Sequence, residues 1–172
     1  AFIGIPAALA LKEFNAQVHI VNPVKNILHI LHYSLMENKS LRYDILFSGI
    51  IGASTLTMAW FVQPVLMSIE LPTSLFGIVW TVLNLVVGIA ALYSDALSAR
   101  LGENKTYTLI LVFITGGYIA TSLNLTYAAL GILFLFYIVR GFATPILKGY
   151  INRQTFSEMR ATVLSIRNFI IR

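Results

Sequence analysis

The longest stretches without a charged residue are too long and too apolar for the core of an ordinary soluble domain. Ile45 to Ile69 and Leu71 to Ser94 are uncharged runs of 25 and 24 residues. About 20 apolar residues in a helix cross the hydrocarbon core of a bilayer, so each run predicts one membrane-spanning helix. The composition agrees, because only 11% of the residues are charged, whereas soluble proteins have about 25%.

A third uncharged run, Thr106 to Val139, is too long for a single span. It contains 34 residues, which would form a helix of roughly 50 Å. The one polar, turn-compatible cluster inside it is Ser122 to Thr126, so two spans are predicted there. The sequence therefore predicts an all-α, polytopic transmembrane helix bundle with spans near 43–69, 73–94, 106–123 and 127–150.

The distribution of Lys and Arg predicts the orientation of these spans. Basic residues precede the first span, lie between the second and third, and follow the fourth, whereas the other two loops have none. The positive-inside rule then places the connector 12–42, the loop from Asp95 to Lys105 and the chain after about Asn152 in the cytoplasm. The net charge of +5 is a topological signal. Because no stacking aromatics are interleaved with these dispersed charges, no nucleic-acid partner is expected.

The flanking segments indicate a piece of a larger protein. Residues 1–11 are apolar but too short to span, and are expected to be the end of a truncated transmembrane helix. In the connector 12–42, Asn22 and Pro23 have the types favoured at the cap and first position of a helix, here an amphipathic one. Residues 152–172 are expected to form a cytoplasmic loop and the start of another helix.

The loop between the second and third spans carries a family-like motif. Its sequence is similar to the G-x-x-x-D-R-x-G-R-[RK] loop of major facilitator superfamily transporters, in the weaker second copy of that motif. Arg100, Gly102 and Lys105 fit the pattern. Ala99 stands where the family has Asp, and Glu103 where it has a basic residue.

The resemblance to this family extends over nearly the whole chain. The order of segments resembles the end of helix six, the central loop, helices seven to ten and the start of helix eleven, where residues 160–165 read R-A-T-V-L-S. It implies alternating access around a site between two six-helix repeats, with the N-terminal half and last helices outside this chain. It also implies a gating role for Asp95, Arg100 and Gly102, for which an ordinary solvated turn is the alternative.

Polar side chains at helical spacing predict where a cavity would lie. In the fourth span Tyr137, Arg140 and Thr144 follow at i, i+3 and i+7 and form one stripe. Thr55 and Gln63 share roughly one face of the first span, and Asn84 lies on a similar stripe in the second. The predicted cavity-lining or substrate-binding residues are Thr55, Gln63, Asn84, Tyr137, Arg140 and Thr144.

Arg140 is the strongest of these candidates, because a guanidinium inside a span is costly unless it meets water, a counter-charge or an anionic substrate. Two interpretations stay open. Arg140 belongs to the substrate path or gate, or it has a structural role, pairing with backbone carbonyls or a cytoplasmic acid.

The sequence favours a transporter over an enzyme. No His or Cys lies within a predicted span, so we expect no catalytic residue, metal site or cofactor. We likewise expect no Asp or Glu within any span, so a proton-carrying carboxylate is expected outside this chain. We predict secondary active or facilitative transport of a small solute, with proton coupling open, by a multi-pass protein of the cell membrane whose other partner is the lipid bilayer. The alternative is a membrane-embedded enzyme or a non-transporting, receptor-like membrane protein.

Overall fold

The computed structural model describes residues 22–123 and 128–171 of the 172. The predicted truncated helix at 1–11 lies outside these residues, and so does the first part of the connector. Residues 124–127, which include most of the predicted turn from Ser122 to Thr126, also lie outside them. The described part of the chain is all-helical and contains no strand, which confirms the predicted all-α class.

Seven helices follow one another along the described chain. A π-helical turn at Tyr33–Glu37 joins the first two, and a 3-10 turn at Thr73–Leu75 precedes the third. The helices are α1 (Pro23–His32), α2 (Lys39–Ser68), α3 (Phe76–Leu92), α4 (Ser94–Leu101), α5 (Glu103–Ser122), α6 (Ala128–Gln154) and α7 (Arg160–Ile171).

Three of these helical segments are long and apolar enough to cross a membrane. They cover Lys39–Ser68, Thr73–Leu92 and Ala128–Gln154. The helix in the third predicted span, α5, has 20 residues but is not among the three. Its first turn contains Glu103 and Lys105, which lower its mean hydropathy. The three segments are what is expected of a membrane protein.

The long helix α6 occupies the centre of the bundle and contacts α2, α3, α4 and α5. Its contact with α3 requires a glycine. A Cβ atom at Gly141 would lie 2.6 Å from the carbonyl oxygen of Val87 and 2.7 Å from the Cβ of Ala90. The main apolar core lies among α2, α3, α5 and α6 and includes Leu83 and Leu133. This core holds the helices whose polar residues form the candidate site.

A second apolar cluster joins the predicted cytoplasmic ends of the helices. It consists of Ile30 from α1, Leu41 and Ile45 from α2, Ile151 from α6 and Val163 from α7. All five side chains are buried. This cluster holds the short helix α7 against α2 and thereby determines which residues of α7 face the bundle.

Candidate functional site

A small polar cavity lies between α2, α6 and α7. Its volume is about 10 Å³, which is about the space that one water molecule needs. Apolar residues of α2 and α6 form part of its wall. Its polar lining comes from Ser48, Thr55, Arg140, Thr144 and Arg167, and we call it the arginine cavity.

Close helix packing brings α7 to this cavity. A Cβ atom at Gly49 would lie 2.6 Å from a side-chain carbon of Ile170, and one at Gly52 would lie 2.7 Å from side-chain carbons of Ile171. A larger residue at either position would therefore force the side chain of Ile170 or Ile171 to move. The two glycines let the neighbouring residues Ser48 and Arg167 come into contact.

Arg167 is buried in this contact, with only 4% of its surface exposed. Its Nε donates a hydrogen bond to Ser48 Oγ, and its Nη1 donates to Asn168 Oδ1 at 3.1 Å. No carboxylate pairs with this guanidinium among the described residues. An arginine stays charged at any physiological pH, so a positive charge lies in an apolar bundle with only neutral hydrogen-bond partners.

Arg140 lines the same cavity from α6 and is half-buried. Its guanidinium carbon lies 5.9 Å from the centre of the Tyr137 ring, within reach of a cation–π contact. Tyr137 is 2% exposed, and its hydroxyl has no hydrogen-bond partner within the described chain. Its ring meets that of Trp80 edge to face, with 6.4 Å between ring centres. The described part of the chain places no carboxylate in an ion pair with Arg140 either.

The structure thus brings together three of the predicted cavity residues. Thr55, Arg140 and Thr144 line the arginine cavity, and Tyr137 is next to it through its contact with Arg140. The hydroxyl of Thr55 donates to the carbonyl oxygen of Gly52 at 3.0 Å.

Gln63 and Asn84 lie apart from the arginine cavity. Gln63 is exposed and borders a groove of about 270 Å³ that is lined by Leu56, Ala59, Trp60 and Trp80. Asn84 is also exposed, and its side-chain nitrogen donates to the carbonyl oxygen of Trp80 in its own helix at 2.8 Å. The described contacts of these two amides do not include Arg140 or Arg167.

Two of the three predicted gating residues border a larger cleft. Asp95 and Gly102 line a space of about 510 Å³ between α4, α5 and α6, together with Glu103, Tyr150 and Arg153. Arg100 is exposed and is not part of this lining. Gly102 has a φ of +75°, a conformation that glycine adopts without strain where α4 ends and α5 begins.

A buried carboxylate near this cleft shows that the expectation of no Asp or Glu within a span was wrong, because the helix Lys39–Ser68, which is long and apolar enough to span, contains Asp44. Asp44 lies in α2, which begins at Lys39, and is 2% exposed. Its Oδ1 accepts a hydrogen bond from the hydroxyl of Tyr107, and its Oδ2 accepts one from Gln154 Nε2 at 2.6 Å. We call Asp44, Tyr107 and Gln154 the carboxylate network. Asp44 immediately precedes the uncharged run that starts at Ile45. It lies four residues before Ser48 and therefore on the same helix face, and this spacing could have indicated that Asp44 faces the bundle.

Neither polar region resembles a metal centre. Within the described ranges, no three side chains among His, Cys, Asp and Glu come together as metal ligands. A carboxylate that accepts hydrogen bonds from a phenol and an amide can bind a proton or fix the positions of helices. A cavity lined by two arginines can bind a negatively charged group.

Comparison of the chain with known proteins gave no match to a family model, to a curated protein or to a solved structure. The resemblance to the major facilitator superfamily therefore stays a prediction from the residues that carry it.

Proposed function

We propose that this protein is a secondary transporter that moves a small solute across the cell membrane by alternating access. The observation that carries this proposal is the arginine cavity, a polar site between helices of which two, α2 and α6, are long and apolar enough to span. Charged groups inside a membrane bundle are expensive, and they commonly mark the path of a substrate or an ion.

The packing around the cavity supports this proposal. The floor of the cavity is formed by buried residues, Ser48 and Arg167, whereas Arg140 is half-buried and Thr144 is exposed. The cavity is therefore closed towards α7 and open towards the exposed face of α6. In a transporter built from two repeats the substrate site lies between the repeats, so a polar site at an exposed helix face supports the proposal.

The family resemblance adds a larger frame to the proposal. In a major facilitator fold, α2 and α6 would be helices seven and ten of a multi-pass bundle, and a second repeat would cover the accessible side of the cavity. The lipid bilayer would contact the remaining apolar surface, which includes the exposed residues Leu85, Ile89 and Leu92 of α3.

Uptake into liposomes that contain the purified protein tests this function. Three labelled solutes, a sugar, an organic anion and a cationic drug, are offered separately, and a pH-sensitive dye inside the liposomes reports whether protons accompany uptake. We expect saturable uptake of one solute class above the level of protein-free liposomes. We expect Arg140→Gln to lower this uptake at least about tenfold, the effect of losing one charged contact of about 1.4 kcal/mol or more.

Lys148→Gln is the matched control for this experiment. Lys148 lies on the same helix as Arg140 and is exposed, and it does not line the arginine cavity. Uptake by this variant should equal that of the unchanged protein. If none of the three solute classes enters above the protein-free level, the transport proposal is wrong, and a receptor-like or enzymatic membrane protein becomes the better explanation.

A further inference from the structure

The arginine cavity contains two permanent positive charges and no described negative one. Arg140 and Arg167 both line it, and neither is paired with a carboxylate in the described part of the chain. The one described ion pair joins His32 and Glu37, at 3.6 Å, in the segment before α2. Two cations that share one cavity repel each other, and each loses hydration when it is buried. An anion bound between the two guanidinium groups would offset this repulsion.

From this imbalance we propose that the arginine cavity binds a compact monovalent anion. The ligand chemistry is a single negative group, which can come from a free chloride ion or from the carboxylate of the transported solute. The inference that the anion is the carboxylate of a solute rests on the proposed transport function. The inference that the cavity binds an anion does not depend on that function.

The hydrogen-bonding groups of the cavity are suited to this ligand. Ser48 Oγ accepts a hydrogen bond from Arg167 Nε, so its own hydroxyl proton remains available to an anion. Arg167 uses its Nε and Nη1 atoms in the described hydrogen bonds, which leaves donors on Nη2. The Thr144 hydroxyl has no described hydrogen bond and lies at the exposed side. All of these groups donate, and an anion is the ligand that accepts from several donors at once.

The size of the cavity limits which anions fit. About 10 Å³ holds one atom of the size of a water molecule. One carboxylate oxygen, with the rest of the solute directed past Thr144, satisfies this limit, whereas a chloride ion is somewhat larger than a water molecule and fits if the cavity widens at its exposed side. Anions with several bulky groups do not fit between Ser48 and Arg167, where α2 and α7 are in close contact at Gly49 and Gly52.

Thermal unfolding of the purified protein in detergent tests anion binding directly. The unfolding midpoint is measured against increasing sodium chloride or sodium acetate, with ionic strength held constant by the bulkier methanesulfonate. We expect a saturable rise of about 5 °C with at least one of the two anions, since a ligand that binds only the folded state stabilises it. A rise with chloride alone identifies a free halide as the ligand, and a stronger response to acetate identifies a carboxylate.

Substitutions then show whether the rise comes from this cavity. Arg140→Gln and Arg167→Met should each abolish it, and Lys148→Gln should keep it. Arg167→Lys retains the charge without the planar fork of donors, so we expect about tenfold weaker binding in a folded protein. The proposal is overturned if neither anion gives a saturable rise in the unchanged protein, or if the rise survives both arginine substitutions.

The outcome separates this proposal from the transport proposal. Uptake of a neutral solute that is insensitive to Arg167→Lys, without any anion-dependent rise, would refute the anion site and leave transport intact. A cavity-dependent rise without uptake of any solute would support the anion site and refute transport.

Discussion

Two polar regions lie close together and share the helices α2 and α6. They differ in the sign of their charge and in how their hydrogen-bonding groups are paired. In the carboxylate network, one negative group accepts hydrogen bonds at both of its oxygens from neutral donors on two other helices. In the arginine cavity, two positive groups line a small space, and the described hydrogen-bond partners of Arg167 are the neutral side chains of Ser48 and Asn168. Asp44 and Ser48 are four residues apart on α2, or about 6 Å along the helix. The first region is satisfied by hydrogen bonds within the chain, and for the second we propose an anion.

The difference indicates different roles for the two regions. The carboxylate network joins α2, α5 and α6, so it fixes the positions of three helices at their predicted cytoplasmic ends. A buried polar network whose groups are satisfied rigidifies the structure around it. A cavity whose charges lack counter-charges is instead suited to a ligand. We therefore expect substitutions in the network to lower stability, and substitutions in the cavity to affect binding.

The largest expected loss of stability comes from Asp44→Ala. This change leaves the Tyr107 hydroxyl and the Gln154 amide without their buried acceptor. Hydrogen bonds to a charged group contribute about 1.5–3 kcal/mol each, so we expect the free energy of unfolding to fall by about 3 kcal/mol. Denaturant titration in detergent, followed by circular dichroism, measures this loss.

Asp95→Ala is the matched control for Asp44→Ala. Asp95 is an exposed aspartate on α4, and its loss should change the free energy of unfolding by less than about 0.5 kcal/mol. Equal effects of the two substitutions would show that the carboxylate network does not stabilise the bundle.

A smaller loss is expected from Tyr107→Phe, which removes only the hydroxyl. The ring keeps its edge-to-face contact with Phe47, at 4.8 Å between ring centres. Asp44 keeps its bond from Gln154, so one of the two charged hydrogen bonds is lost. We expect the free energy of unfolding to fall by about 1.5 kcal/mol in the same titration.

Tyr43→Phe serves as the comparison, because Tyr43 is exposed and packs against the Tyr107 ring, at 5.4 Å between ring centres. It should leave stability unchanged. A loss in Tyr107→Phe no greater than that in Tyr43→Phe would contradict the assignment of a stabilising bond to Asp44.

The sequence allowed the helical class and part of the cavity to be predicted. Long apolar runs have few alternatives to helices, because backbone groups in a bilayer must be satisfied within the segment. Arg140 and Thr144 could be predicted from the sequence, because a cation within an apolar segment, with a polar residue one helical turn away, indicates a polar helix face. The same spacing selected Gln63 and Asn84, which the structure places away from the cavity. Periodicity shows which face of a helix is polar, but the packing of the neighbouring helices determines how much of that face is covered.

Arg167 and Asp44 were missed because their burial depends on tertiary contacts. Arg167 lies in a segment with several other basic residues and was assigned to a cytoplasmic loop and the start of another helix. Its burial follows from the packing of α7 against Gly49 and Gly52, a contact between segments more than 100 residues apart. Asp44 lies just before the uncharged run, where hydropathy predicts an interface. The helix that begins at Lys39 carries it into the bundle instead.

Among the substitutions of buried residues, the smallest change in stability is expected from Arg167→Met, measured without chloride or acetate. A buried charge without an opposite charge is costly to desolvate, so an apolar side chain of similar volume in its place should cost little stability. We expect the free energy of unfolding to change by less than about 1 kcal/mol in either direction, although Arg167 is as deeply buried as Asp44. Arg160→Met, at an exposed arginine on the same helix, is the reference for the change in net charge. A loss of about 3 kcal/mol, comparable to that of Asp44→Ala, would mean that the hydrogen bonds to Ser48 and Asn168 satisfy the guanidinium. The two regions would then have the same structural role, and the cavity would not need an anion.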